Sequence, residues 1–204
     1  MRRLVTLVAG ILALAGSALA ADYADPLPRY ERAGNGFACH MDKADGDKTG
    51  SMHWQSDQVC MRVGPLYVGM PRTDLEKILG APATMVVQDG RENFAYSVNR
   101  GDSEFVATYA IVVYGNDATA TSIQLTGKAF PSPWFFSGLA LGDSEDALRE
   151  RLGAPLQLDK SDEAGTLVWT YRPWTFSVEV HDKQISAIRV WIEDIEAPHP
   201  KNRI

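Results

Sequence analysis

From Leu167 to Ile192 apolar and polar residues alternate with a period of two: Leu167, Trp169 and Tyr171, then Trp174, Phe176, Val178 and Val180, then Ile188, Val190 and Ile192. Successive side chains on a strand point to opposite faces, so this alternation predicts a half-buried antiparallel sheet. His181-Asp182-Lys183-Gln184 supplies a hairpin turn, and Gly115-Asn116-Asp117 supplies another upstream. If the apolar set faces inward, then Thr175, Ser177, Glu179, His181, Arg189 and Trp191 face outward, and Arg172 falls on the same side.

Ahead of each group of strands the period changes. Residues 66–82 read LYVGMPRTDLEKILGAP and residues 139–155 read LALGDSEDALRERLGAP, aligning without a gap. Leu75, Ile78 and Leu79 in one, and Ala147, Leu148 and Leu152 in the other, fall at helical spacing and predict one short helix per copy with a single stripe to bury. Pro71 suits the first helical position, Asp143 suits a cap with Asp146 three residues on, and Gly80 and Gly153 before Ala-Pro stop each helix. The strands repeat as well: Phe94-Ala95-Tyr96 matches Trp169-Thr170-Tyr171, and Ile123-Gln124-Leu125 matches Ile188-Arg189-Val190. In the first copy Asn99–Ser103 is read as a loop, and the run from Phe105 to Tyr114 is apolar on both faces.

These elements predict an α+β chain of two tandem repeats, each a short helical segment packed on an antiparallel sheet. The first occupies 66–129 and the second 139–193, joined by a stiff connector at 130–138 and followed by a tail at 194–204. The connector holds Pro131, Pro133, Trp134, Phe135 and Phe136; Trp134 and Phe135 either seal the seam between the repeats or serve as an anchor for a partner.

Residues 1–20 have the charged start, apolar run and Ala18-Leu19-Ala20 end of a signal peptide, with cleavage before Ala21. Export to the periplasm or beyond follows, without stable membrane insertion. The full chain of 204 residues carries a net charge of −6, and losing Arg2 and Arg3 takes it to −8. An acidic chain without clustered cations is a poor match for nucleic acid. In the 21–65 segment Cys39 and Cys60 are the two cysteines of the chain, and the oxidising compartment predicts one disulfide between them. The competing zinc set of Cys39, His40, His53 and Cys60 lacks Cys-x-x-Cys spacing. Asp42–Gly50 is read as a solvated loop; as a calcium loop beginning at Asp45 it would place Ser56 where a bidentate Glu belongs.

The glycine-led helices ending in Leu79-Gly80-Ala81-Pro82 and Leu152-Gly153-Ala154-Pro155, with Trp169-Thr170-Tyr171 and a closing hairpin, resemble the BamE/SmpA and β-lactamase inhibitory protein superfamily in its tandem two-repeat form. The resemblance covers residues 66–193. It implies helices on one face of an antiparallel sheet and a concave opposite face that grips another protein. The cysteines lie ahead of the repeats, unlike those of the inhibitory proteins, and the lipid-anchoring cysteine of BamE is missing.

Chemistry is sparse. The sequence has no nucleophile elbow, zinc-protease motif, P-loop or dinucleotide fingerprint, and no cofactor is expected. Glu179 and His181 share a strand face, a pattern that fits a solvated pair better than an acid/base pair. Asp143, Glu145 and Asp146 suit a helix N-terminus. The expectation is a non-enzymatic, exported protein-binding module, an enzyme inhibitor or envelope-assembly accessory, whose binding residues are Trp191, Arg189, Arg172, Trp134 and Phe135. The alternative is a periplasmic small-ligand carrier or enzyme using the aromatic seam between the repeats.

Overall fold

The computed structural model describes residues 29–40, 60–88, 90–99, 108–128 and 134–192. The signal peptide, the Asp42–Gly50 loop, His53, residues 100–103, the proline pair of the connector and the C-terminal tail lie outside the described residues.

The protein is mostly β, with two short helices among the described residues. A hairpin of β1 (Arg29–Ala33) and β2 (Gly36–His40) leads to a second small pair, β3 (Arg62–Val63) and β4 (Leu66–Tyr67). Then come α1 (Arg72–Leu79) and the strands β5 (Thr84–Gln88), β6 (Arg91–Asn99), β7 (Thr108–Tyr114) and β8 (Ala120–Gly127). The same succession follows in α2 (Glu145–Leu152), β9 (Gln157–Lys160), β10 (Thr166–Thr170), β11 (Phe176–His181) and β12 (Gln184–Trp191). All eight of these strands join one antiparallel sheet in the order β5-β6-β7-β8-β12-β11-β10-β9.

That order revises the expectation of separate sheets meeting at an aromatic seam. The copies meet by hydrogen bonding of β8 to β12, with Gln124 opposite Arg189 and Ser122 opposite Trp191. The two halves are related across this junction. Gly69 N–H donates to Ala120 O in one half, as Gly142 N–H donates to Ile185 O in the other. Pro71 bridges Thr119 as Ser144 bridges Gln184.

Both helices end as the sequence predicts. Gly80 and Gly153 have φ of 78° and 79°, and their N–H groups donate to Glu76 O and Arg149 O. With ψ of −163° and −168°, they occupy an extended positive-φ region reserved almost wholly for glycine, not the left-handed helical well. The starts shift by one residue. Pro71 is the N-cap, where its lack of an N–H leaves nothing unpaired, and α1 begins at Arg72. In α2 the cap is Ser144, whose hydroxyl accepts the Ala147 N–H, because Asp143 is engaged with the Ala140 N–H at 2.8 Å. Leu75, Leu148 and Leu152 are buried and Leu79 packs at the edge of the core, but Ile78 faces solvent. An eight-residue helix has room for a narrow stripe, and Ile78 falls off it.

The strand facing matches the alternation. Phe176, Val178, Val180, Ile188 and Val190 are buried with Trp169 and Tyr171, and Trp174 and Ile192 pack at the margin. Asp182 and Lys183, at φ 48° and 63°, make the tight turn between β11 and β12.

The N-terminal hairpin adds what the sequence pattern did not suggest. Tyr30 is 2% exposed and, with Phe37, joins Phe136, Tyr171, Trp174 and Phe176 in one aromatic cluster on the inner face of the second half. Cys39 and Cys60 are bonded to each other, with Cα atoms 5.7 Å apart, which removes both from any zinc set. The bridge closes a loop of about 21 residues and ties this hairpin to β3. On the chain-entropy model such a closure contributes about 3 kcal/mol.

The two sheet edges differ. On β5 all five residues are exposed and none is charged, with Val86 and Val87 at 56% and 61% exposure. On β9 the same topological position carries Asp159 and Lys160, charges of the kind that guard an open edge.

Candidate functional site

The helices, the small sheets and the aromatic cluster cover one face of the eight-stranded sheet. The outward residues of the other face fall in rows set by the register. One row runs Val86, Asn93, Val113, Ser122 and Trp191; the next runs Thr84, Ala95, Ile111, Gln124, Arg189 and Ser177. The face is concave, holding a groove of about 620 Å³ lined by Val86, Gln88, Arg91, Asn93, Ala95, Ile111, Val113, Ser122, Gln124 and Arg189. Its floor is aliphatic, its walls carry amides and a hydroxyl, and an arginine stands on either side.

Arg189 leans over β8, where its Nε donates to Ser122 Oγ at 3.0 Å, and its guanidinium carbon lies 5.5 Å from the centre of the Trp191 ring. Although Arg189 keeps contact with solvent, the surrounding walls desolvate its charge and push its pKa down; Glu179 opposes that shift, and Arg91 adds to it by repulsion. The two arginines therefore share one field. Glu179, half-buried beside them, accepts a long contact from Gln124 Nε2 at 3.4 Å. Burial raises its pKa, the Glu163 carboxylate raises it further, and Arg189 lowers it in part.

The predicted site residues separate in space. Arg189 and Trp191 come together on the concave face, with Trp191 half-buried. Arg172 lies, exposed, in the turn between β10 and β11 just ahead of a cis bond to Pro173, and not on a strand of that face. Trp134 and Phe135 lie beside β3. Trp134 packs against Gly64, where an added Cβ would meet its ring at 3.1 Å, and Phe135 O accepts the Gly64 N–H. Trp134 is partly buried against the core. The neighbouring rings of Phe136 and Phe176 lie 4.9 Å apart, tilted to one another and with no exposure, so that region is filled by side chains.

Sequence reasoning missed the contribution of the first half, which supplies every lining residue of the groove except Arg189. The repeat alignment carried a signal for one of them, since Gln124 matches Arg189.

Among the described residues Glu179 and His181 are held by different partners. Glu179 is engaged by Gln124, while His181 Nδ1 lies 2.8 Å from Thr166 Oγ1 and its Nε2 lies 3.4 Å from Asp182. Among the described residues no three metal-ligating side chains gather, and no helix is long and apolar enough to cross a membrane. The tyrosine pair Tyr96 and Tyr114, oxygens 2.8 Å apart, rests on the inner face near Glu76 and Arg72, where burial raises both phenol pKa values.

No protein-family model matches the chain, and no curated protein matches it in sequence. Among solved structures it is distantly similar to a DUF4309 family protein (YjgB) from Bacillus subtilis, at 16% identity and a TM-score of 0.42 over 60% of this chain and 78% of that one, a likeness too loose to bear on function.

Proposed function

We propose that the protein is an exported, non-enzymatic binding module that grips another protein with the concave face of its sheet. The observation that carries this reading is the pairing of Trp191 with Arg189 on the outward face of the sheet, where Arg189 also lines the groove. Tryptophan and arginine are the side chains enriched in protein–protein hot spots; here Trp191 is half-buried, and the guanidinium of the exposed Arg189 lies 5.5 Å from the centre of its ring. The resemblance of the two helix ends and the Trp169-Thr170-Tyr171 strand to the tandem β-lactamase inhibitory protein form supports the same use of this face. Inhibition of an enzyme and service as an envelope-assembly accessory are both compatible with such a surface. The signal sequence and the disulfide support a periplasmic or secreted location.

The test is capture from an envelope extract with disulfide-intact bait. Trp191→Ala leaves the thermal transition close to that of the wild type and weakens capture by about 2 kcal/mol or more, as truncating a central anchor does. Lost stability with unchanged capture would assign Trp191 to the core and end the proposal.

A further inference from the structure

The two ends of the eight-stranded sheet descend from the same repeat and are finished differently. Carried on past the Leu-Gly-Ala-Pro helix ends, the repeat alignment sets Thr84 on Gln157, Met85 on Leu158, Val86 on Asp159 and Val87 on Lys160, so that β5 and β9 begin at matching residues. On β9 the charged pair discourages a further strand. On β5 the same two positions are exposed valines, with exposed Met85 beside them. Ile78, exposed on α1, likewise stands where α2 has Arg151. Three exposed aliphatic side chains of the first half therefore replace three charges of the second. Among the described residues no strand lies on the far side of β5, so one row of its backbone N–H and C=O groups has no strand to pair with. Its two valines are strong strand formers.

We infer that β5 pairs with β5 of a second copy of this chain, antiparallel about a twofold axis through Val86. The occupant follows from how the strand matches itself. Thr84, Val86 and Gln88 lie on the concave face, since their β6 partners Ala95, Asn93 and Arg91 line the groove; Met85, opposite buried Phe94, and Val87 lie on the other. In this register Thr84 meets Gln88 of the second copy, hydroxyl beside amide. Met85 meets Val87, apolar beside apolar, and Val86 meets itself on the axis. A slip of one residue would turn the second copy over, and a slip of two sets Val86 against Thr84 or Gln88 instead. The contact brings no like charges together. One strand in from the seam, the Glu92 positions of the two copies stand about 16 Å apart, at ~3.3 Å per residue and ~4.8 Å per strand, beyond the ~10 Å screening length of ordinary salt. The pairing also closes on itself. It uses up the unguarded edge of both copies and leaves a β9 bearing Asp159 and Lys160 at each end, so growth stops at two. Both concave faces then open the same way, joined at Val86 and Gln88. Five residues a side make a contact smaller than the ~1,200 Å² of stable complexes, so the dimer is concentration-dependent. The inference does not depend on what the concave face binds.

The experiment is analytical sedimentation of the purified, disulfide-intact protein from micromolar to millimolar concentration. The mean mass rises with concentration toward twice that of the monomer and goes no higher. Val86→Lys and Val86→Glu, each alone, stay monomeric, because two like charges meet on the axis. Mixed in equal amounts, the two variants associate at least tenfold more tightly than either does alone. A fold defect would not be repaired by mixing, and the thermal transition of each variant is recorded alongside. In a mixture of isotope-labelled and unlabelled wild-type protein, NOEs cross from the Met85 methyl of one copy to the Val87 methyls of the other. The inference is overturned if the wild type stays monomeric to millimolar concentration, if its mass grows past the dimer, if Val86→Lys associates as the wild type does, or if the mixed pair gains nothing. Protection of the β5 amides that arises only in a complex with a different protein would give the edge to a foreign strand, and it overturns the inference as well. Each of these failures leaves Trp191-dependent capture to be judged on its own result.

Discussion

Replacing Gly80 or Gly153 with alanine tests the helix terminations through a comparison the structure makes unequal. Both glycines sit near φ 78° with ψ close to −165°, where a residue with a Cβ is strained by about 1–3 kcal/mol. Alanine also restricts the unfolded chain, which returns about 0.4–1 kcal/mol. The net loss for the conformational effect alone centres on roughly 1.3 kcal/mol. At Gly80 nothing lies within 4 Å of the added Cβ, so this is the whole expected cost. At Gly153 the Cβ meets the Arg32 guanidinium at 2.8 Å, so Gly153→Ala must also displace that side chain from over α2. The assay is urea and thermal unfolding of the oxidised protein. For a domain of this size the Gly80→Ala loss corresponds to a fall in Tm of about 3–5 °C, and Gly153→Ala loses at least as much. In an Arg32→Ala background the difference between the two sites closes. Gly80→Asn discriminates further, because asparagine is tolerated in the left-handed helical well but not in this extended region. A Gly80→Asn variant as stable as the wild type would refute the assigned backbone geometry and with it the argument.

Other outcomes follow from the packing and charge described above. Reducing the Cys39–Cys60 bridge, or replacing both cysteines with serine, lowers stability by about 3 kcal/mol, read as a shift in the urea midpoint with little change in the folded spectrum. Phe37→Ala removes a ring that contacts Tyr30, Tyr171, Trp174 and Phe176, and it costs about 2–4 kcal/mol; a neutral result would mean that the N-terminal hairpin is not part of the core. Burial raises the pKa of Glu179, so its contribution to stability is full below the ordinary glutamate pKa and is lost as pH rises through the folded value. Glu179→Gln is therefore more stable than the wild type at neutral pH, and the gap shrinks on acidification toward pH 4; Tm measured against pH shows it, and a pH-independent gap would contradict it.

What the sequence determined by itself is local. The two Leu-Gly-Ala-Pro ends stop helices because the geometry at Gly80 and Gly153 excludes a Cβ. The alternation from Leu167 to Ile192 settles which side chains face the core, because side-chain direction in a strand has a period of two. The disulfide followed from two cysteines in a chain whose first twenty residues read as a signal peptide. Tertiary structure decided the rest. Which edge of one copy meets the other is a matter of hydrogen bonding between strands some sixty residues apart, and no periodicity encodes the choice of β8 against β12. That choice places Gln124 beside Arg189 and Ser122 beside Trp191, and it fuses two half-surfaces into one concave face. Arg172, which the alternation puts on the outward side, lies instead in the turn between β10 and β11. Ile78 shows the same limit at small scale: its spacing fits a helical stripe, but the width of the stripe is set by what packs against the helix. The hairpin carrying Tyr30 and Phe37 was unreadable because its apolar residues are few, and their burial depends on the aromatic cluster assembled from residues 136, 171, 174 and 176.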